Sequence, residues 1–269
     1  LARWIGGFVK SLLVFDLDGT LAASKSPISA ELADLVYDLL GVVKVSIISG
    51  GSWDQFERQL LVHLPVGGRL SDLHLLPTCG TQLFEYRGSW KRFYFERFSA
   101  SQRDLIIECL ERALEESGEK VERTWGEAIE DRGSQITLSV LGQEAPLSNK
   151  QAWDPDFAKR KKILAILVPL LEGFSVRMGG TTSIDVTPKG VDKAYGVRKL
   201  QERLGISMRE ILFVGDAIFE GGNDYAVQAA GVDSIQVRDP SEAARVIQTA
   251  IACLGDGSTQ IKSPGRVAR

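Results

Sequence analysis

Apolar and polar positions along the chain fall into two textures, and the first occupies residues 11–89. LLVF at 12–15 is an uninterrupted apolar run of strand length, and ISAELADLVYDLLG at 28–41 carries apolar residues at helical spacing. Ser29 stands where that helix would be capped, and Gly41 lies just past its end. VVKVSII at 42–48 is β-branched and strand-like, and WDQFERQLLVHL at 53–64 returns to helical spacing. The same texture comes back after residue 188: helical VDKAYGVRKLQERLG ended by Gly205, apolar EILFVG, helical YAVQAAG, strand-like DSIQV and helical SEAARVIQTAIACL. Strands alternating with helices predict a parallel sheet covered by helices, so residues 11–89 and 188–255 read as two pieces of one doubly wound, Rossmann-like α/β core.

The stretch between them, 90–187, has the second texture. KRFYFERF reads as a strand, and SQRDLIIECLERALEESG repeats its apolar residues at 105, 106, 109, 110, 113 and 114, a helical spacing. SQITLSVLG alternates like an edge or half-exposed strand, FAKRKKILAILVPLLEG is a second helix, and FSVRMGGTTSIDVTP carries two strands around Gly179-Gly180. A few antiparallel strands with two helices on one face predict an inserted α+β cap. Residues 256–269 are polar and punctuated by Gly and Pro, and read as a loosely held tail.

Composition narrows the partners. With 44% hydrophobic and 25% charged residues the chain can bury an ordinary core, and a net charge of −3 argues against a broad nucleic-acid surface. Cys79, Cys109 and Cys253 are too scattered for a disulfide framework or a zinc site. No apolar run is long enough to span a bilayer, and LARWIGGFVK is too short and wrongly flanked for a secretory signal. It begins without Met, so the natural start is expected to lie elsewhere, and the cytoplasm is the default compartment.

Ligands of open parallel sheets bind beyond the carboxyl ends of the strands. After LLVF come Asp16 and Asp18, after VSII come Ser49, Gly50, Gly51 and Ser52, and after ILFVG come Asp216 and AIFEGGND. PKGVDK adds Lys189 and Lys193 at the start of a helix. These residue types suit phosphoryl transfer. A carboxylate such as Asp16 can attack phosphorus if a hard cation neutralises the charge; Asp16, Asp216 and the backbone carbonyl of Asp18 would hold Mg²⁺. Ser49 and the N–H groups at Gly50 can bind phosphoryl oxygens, Lys193 can balance the moving charge, and Asp18 can serve as acid and then base. Plainer readings stand beside these. Asp16 to Thr20 can be a surface turn, Lys189 a solvated charge, Ser52 a helix cap, and Asn223-Asp224 either a cap or a brace for the metal site. His63 and His74 lie in apolar settings and read as structural.

DLDGT, the strand-end Ser49, Lys193 and GDAIFEGGND, in this order, resemble the four motifs of the haloacid dehalogenase superfamily of phosphotransferases. The insert resembles the α/β cap of the subfamily that includes sugar phosphatases. GGTTSIDVTPKGVDKAYG and GDAIFEGGND are more particularly similar to the eukaryotic-type phosphomannomutases. The resemblance implies a cap that grips a sugar phosphate through arginines and an S-x-D element, here Ser183 and Asp185, with Arg132 matching the first cap arginine. Gln143 replaces the next family arginine, Lys150 stands where a further one is expected, and Lys25 replaces the one after DLDGT. Lysine keeps the charge but loses the bidentate fork, and Gln143 loses the charge. The motifs lean toward a mutase, the weakened cradle toward a phosphatase, and a non-catalytic sugar-phosphate-binding protein is the remaining alternative. The resemblance also implies dimerisation through the cap, although no patch in the sequence marks it, and leaves sugar and anomer open.

Overall fold

The computed structural model describes residues 9–255 apart from 120, 122 and 180. The tail expected at 256–269, Gly180 and the first eight residues of LARWIGGFVK lie outside the described residues. β1 (Leu12–Asp16) is an interior strand of a seven-stranded sheet, buried over its whole length. β2 (Lys44–Ile48), β3 (Leu73–Leu76), β4 (Gln82–Tyr86) and β5 (Trp90–Phe95) extend it on one side, and β10 (Ile211–Gly215) and β11 (Asp233–Gln236) on the other. β1, β2, β3, β10 and β11 pair in parallel; β4 and β5 fold back antiparallel. The chain leaves β1 in one direction early and in the other late, so the switch point lies between β1 and β10, where an open α/β sheet has its crevice.

Successive strand side chains point to opposite faces. Leu13 and Phe15 pack with α1 (Ala30–Leu39), α2 (Trp53–Gln59) and α8 (Pro240–Leu254). Leu12 and Val14 pack with α6 (Lys193–Leu204) and α7 (Tyr225–Ala229). Asp16 continues the second set and therefore projects toward α6. Ser29 caps α1 by accepting from the Leu32 N–H, and Gly205 ends α6 in the left-handed conformation.

The insert is a four-stranded antiparallel sheet of order β6-β7-β9-β8, made of β6 (Ile129–Asp131), β7 (Ile136–Ser139), β8 (Phe174–Met178) and β9 (Ser183–Pro188). Ile136, Leu138, Ile184 and Val186 point toward α3 (Ala100–Ser117) and α5 (Ala158–Leu170) and close a separate core with them. The intervening Thr137, Ser183 and Asp185 consequently face the other way. Three expectations change. The strand at 90–95, assigned to the insert from its texture, pairs with β4 in the core sheet, so the antiparallel unit starts at α3. β7 is fully buried rather than half-exposed, because helices cover one face and polar residues the other. α4 (Leu147–Trp153) has no counterpart in the sequence reading; it is only seven residues long and polar.

α6 is brought close to the sheet by a contact that only glycine permits. A methyl group on Gly196 would lie 2.6 Å from Ile48 Cδ1 and 2.7 Å from the Cys79 carbonyl oxygen, with Gly80 packed against it. Gly196→Ala should therefore destabilise the fold by about 1–3 kcal/mol through overpacking, with a melting temperature lower by several degrees. Thermal denaturation checks this; an unchanged melting point would mean that the helix can back away without cost.

Candidate active site

Three carboxylates meet at the switch point. Asp16 ends β1, Asp216 follows β10, Asp224 precedes α7, and each offers an oxygen within 4.8 Å of the others. Lys193, 1% exposed, places its Nζ 2.7 Å from Asp16 Oδ1 and 2.6 Å from Asp224 Oδ1. A lysine in the first helical turn opposes the helix dipole, so its place there is explained by the carboxylates it meets. Burial raises the pKa of Asp16, against the pull of the Lys193 charge, and burial also raises that of Asp216. Burial alone would lower Lys193; the Asp16 and Asp224 carboxylates overcome it and hold the ammonium charged. One ammonium against three ionised carboxylates leaves two negative charges on hard oxygen donors, a set that fits a divalent cation such as Mg²⁺. Gly19 leaves room for this: its φ is +89°, and a Cβ there would sit 2.4 Å from Asp216 Oδ2.

The Asp18 carboxylate stands outside this group. It accepts from the Lys25 backbone N–H (2.6 Å), Gln55 Nε2 (2.7 Å) and Gln59 Nε2 (3.3 Å). Asp224, read from the sequence as a cap or a brace, makes no capping bond to α7 among the described residues and joins the cluster, where Lys193 holds its Oδ1; its Oδ2 also accepts from the Ala217 N–H, closing the AIFEGGND loop. Ser49 is buried and its Oγ accepts from the Gly51 N–H (3.0 Å). Lys189 is exposed, in keeping with a solvated charge.

A cavity of about 960 Å³ runs from the carboxylates to the polar face of the insert sheet. All the candidate site residues line it except Lys193 and Asp224, which are buried behind its wall. On the core side are Asp16, Asp18, Ser49, Gly50, Asp216 and Asn223; Lys25 reaches across, its Nζ donating to Gln143 Oε1 (3.2 Å). On the insert side Arg132 donates from Nη1 to the Gly50 carbonyl (2.6 Å) and from Nη2 to Glu130 (2.7 Å). Lys150 Nζ donates to the Gln143 carbonyl (2.9 Å), and Asp185 Oδ1 accepts from Thr137 (2.8 Å). Ser183 lies two residues before Asp185 on the same face of β9. Burial pushes the pKa of Asp185 up.

Sequence reasoning missed several supports. Gln55 and Gln59, four apart on α2, are buried, and that spacing on one helical face was their available signal. Arg160 is hidden in the run KRKK, yet is fully buried, with Nε donating to Asp154 (2.7 Å) and Nη1 to the Gly179 carbonyl (3.2 Å) next to the Ser183–Asp185 strand. Gln135 and Thr137, read only as strand residues, connect to Gly50 and Asp185.

Solved proteins share this architecture. A haloacid dehalogenase-like hydrolase from Bacteroides thetaiotaomicron matches with a TM-score of 0.58 at 16% identity, over 89% of this chain and 98% of that one. An IMP-nucleotidase from Plasmodium falciparum matches at 0.61 and 17%, over 91% and 68%. Fold and motif order, with the family and relatives that match the sequence, define an enzyme of the haloacid dehalogenase phosphotransferase type. Sequence relatives are more particular: the phosphomannomutase of Schizosaccharomyces pombe is 28% identical over 231 residues, 82% of this chain and 86% of that protein. The eukaryotic phosphomannomutase family model matches residues 99–252, and the chain belongs to that family.

Lys25 and Lys150 both donate to Gln143, one to its side-chain oxygen and the other to its carbonyl, so their two positive charges face the same residue. Burial, then the Lys25 charge, lowers the Lys150 pKa to about 8, and burial lowers Lys25 as well. An anion bound between them favours the charged forms, so its affinity should fall as pH rises through about 8, and binding near pH 8 should take up a proton. Calorimetry of a sugar bisphosphate in two buffers of different ionisation enthalpy reads that uptake; equal heats would remove the lysine pair from the anion site.

Proposed function

We propose that the protein moves a phosphoryl group on or off a hexose phosphate, with Mg²⁺ and through an aspartyl-phosphate on Asp16. The observation that carries this reading is the Lys193 ammonium between Asp16 and Asp224, with Asp216 beside them. Asp16, Asp216 and the Asp18 backbone carbonyl would hold the ion, which when bound neutralises phosphate charge and draws it toward the nucleophile. Asp16 attacks phosphorus as the bond to the sugar oxygen breaks, and Asp18 protonates that oxygen. Asp18 then takes the proton of the incoming hydroxyl, which attacks phosphorus and frees Asp16. Ser49 and the Gly50 N–H receive phosphoryl oxygens, and Lys193 keeps its charge against Asp16 before and after transfer. In the insert, Ser183 and Asp185 read sugar hydroxyls, while Arg132, Lys150 and Gln143, with Lys25 reaching over from the core, surround the far end of the substrate.

If the incoming hydroxyl belongs to a sugar phosphate, the enzyme is a mutase, which the family supports. If it is water, the enzyme is a sugar phosphatase. A specific observation favours the second reading: Arg132 is already engaged by Gly50 and Glu130, and Gln143 is neutral, so the cradle for a second phosphate is weak.

Asp16→Asn should lower phosphoryl transfer from hexose phosphates by at least about 10³-fold while the melting curve stays within a few degrees of wild type. Turnover retained in that variant would take the nucleophile's role from Asp16. Assays on mannose 1-phosphate and glucose 1-phosphate, with and without the matching 1,6-bisphosphate, separate the two outcomes. Bisphosphate-dependent 6-phosphate with little free phosphate identifies a mutase, and steady phosphate release without isomer identifies a phosphatase.

A further inference from the structure

Gln135, 1% exposed, lies in the turn between β6 and β7. Its Nε2 donates to the Gly50 carbonyl (3.1 Å) and to Thr137 Oγ1 (3.1 Å). A carbonyl oxygen can only accept, so the amide must present its nitrogen there, and both of that nitrogen's hydrogens are used. The Thr137 hydroxyl accepts from Gln135 and directs its own hydrogen to Asp185 Oδ1 (2.8 Å). The orientation leaves Gln135 Oε1 buried without a partner among the described residues, a cost tolerated for the two bonds its nitrogen makes.

On the core side the connection continues through one peptide. The Gly50 carbonyl and the Gly51 N–H belong to the same trans amide and point in opposite directions. Holding the carbonyl from the insert therefore aims the N–H, which donates to Ser49 Oγ at 3.0 Å. One continuous chain of contacts thus links Asp185 in the insert to Ser49 in the core, through Thr137, Gln135 and the Gly50–Gly51 peptide, with Gln135 Nε2 donating in both directions. Arg132 also holds the Gly50 carbonyl, but its other hydrogen bond runs to Glu130 rather than toward Asp185.

We propose that Gln135 is a positioning residue that couples occupation of the sugar site at Asp185 to the setting of the phosphate loop at Ser49–Gly50. The coupling rests on the functional reading above, in which Ser49 meets phosphate and Asp185 meets sugar. It makes the two halves of a substrate bind cooperatively even when they are not covalently joined.

The test is a linkage measurement on the full chain, independent of turnover. Inorganic phosphate binding is titrated by calorimetry, with Mg²⁺ present, in the absence and presence of saturating mannose or glucose. Wild type should bind phosphate at least fivefold tighter with the sugar present, and Gln135→Met should reduce that enhancement below twofold. Thr137→Val should do the same, Thr137→Ser should keep the enhancement, and the double Gln135→Met/Thr137→Val variant should be no worse than either single. Kinetics add a second readout, the ratio of kcat/KM for a hexose phosphate to that for p-nitrophenyl phosphate, which brings no sugar to Asp185. That ratio should fall at least tenfold in Gln135→Met. No enhancement in wild type, full enhancement in both Gln135→Met and Thr137→Val, or additive losses in the double variant would overturn the coupling. A wild type that shows the enhancement but turns over no hexose phosphate would instead sink the functional reading and leave the coupling standing.

Discussion

The buried ammonium of Lys193, shared between Asp16 and Asp224, is the constraint from which the rest of the site follows. Carboxylates that are buried together repel, and removing the one cation among them would leave charge that burial cannot tolerate. Satisfying them requires the tip of β1, the loop after β10 and the first turn of α6 to converge within hydrogen-bonding distance. Strand alternation supplies the direction of Asp16, the switch in strand order supplies the neighbour Asp216, and two close backbone approaches supply the space. Gly196 lets α6 lie against the 78–80 turn, and Gly19 lets the DLDGT loop fold over Asp216. Neither glycine carries chemistry, yet each limits how near the charged groups can come.

The insert uses the same alternation for a different end. Its sheet buries one row of residues under helices and turns the other, Thr137, Ser183 and Asp185, toward the cavity. Its β6–β7 turn reaches the core loops directly: Arg132 and Gln135 both hold the Gly50 carbonyl, and Ser134 joins Thr78 and Thr81 in a buried hydroxyl cluster. The two sheets are thus joined by hydrogen bonds at the Ser49–Gly51 loop, not only by the chain that links them.

Much of this was legible in the sequence, for particular physical reasons. Carboxylates at the ends of apolar runs are conspicuous because little else puts charge there, so Asp16, Asp18 and Asp216 stood out. The parallel core was legible from alternating periods. Less legible were contacts whose meaning depends on topology. A strand next to a boundary, such as Trp90–Phe95, has the same composition whichever sheet it joins, and only pairing with β4 assigns it. Arg160 was submerged in a basic run and Gln135 in an alternating strand, since burial of one polar residue leaves no periodic trace. Asp224 read equally as a helix cap or as a brace for the metal site, because capping and charge pairing draw on the same residue type.

The two crossings between core and insert are not equivalent. On the outward path, β5 passes through residues 96–99 into α3, far along the chain from any reacting group. On the return path, β9 carries Asp185, and only residues 189–192 separate its end from Lys193; Thr187 Oγ1 donates to the Val191 carbonyl and the Val191 N–H to the Pro188 carbonyl, tying that link into a tight turn. A rocking movement of the insert sheet would pivot beside the lysine, whereas insertions at the outward crossing would leave the lysine's distance from Asp185 untouched. Variation in length among such proteins should therefore gather at the first crossing and spare the second.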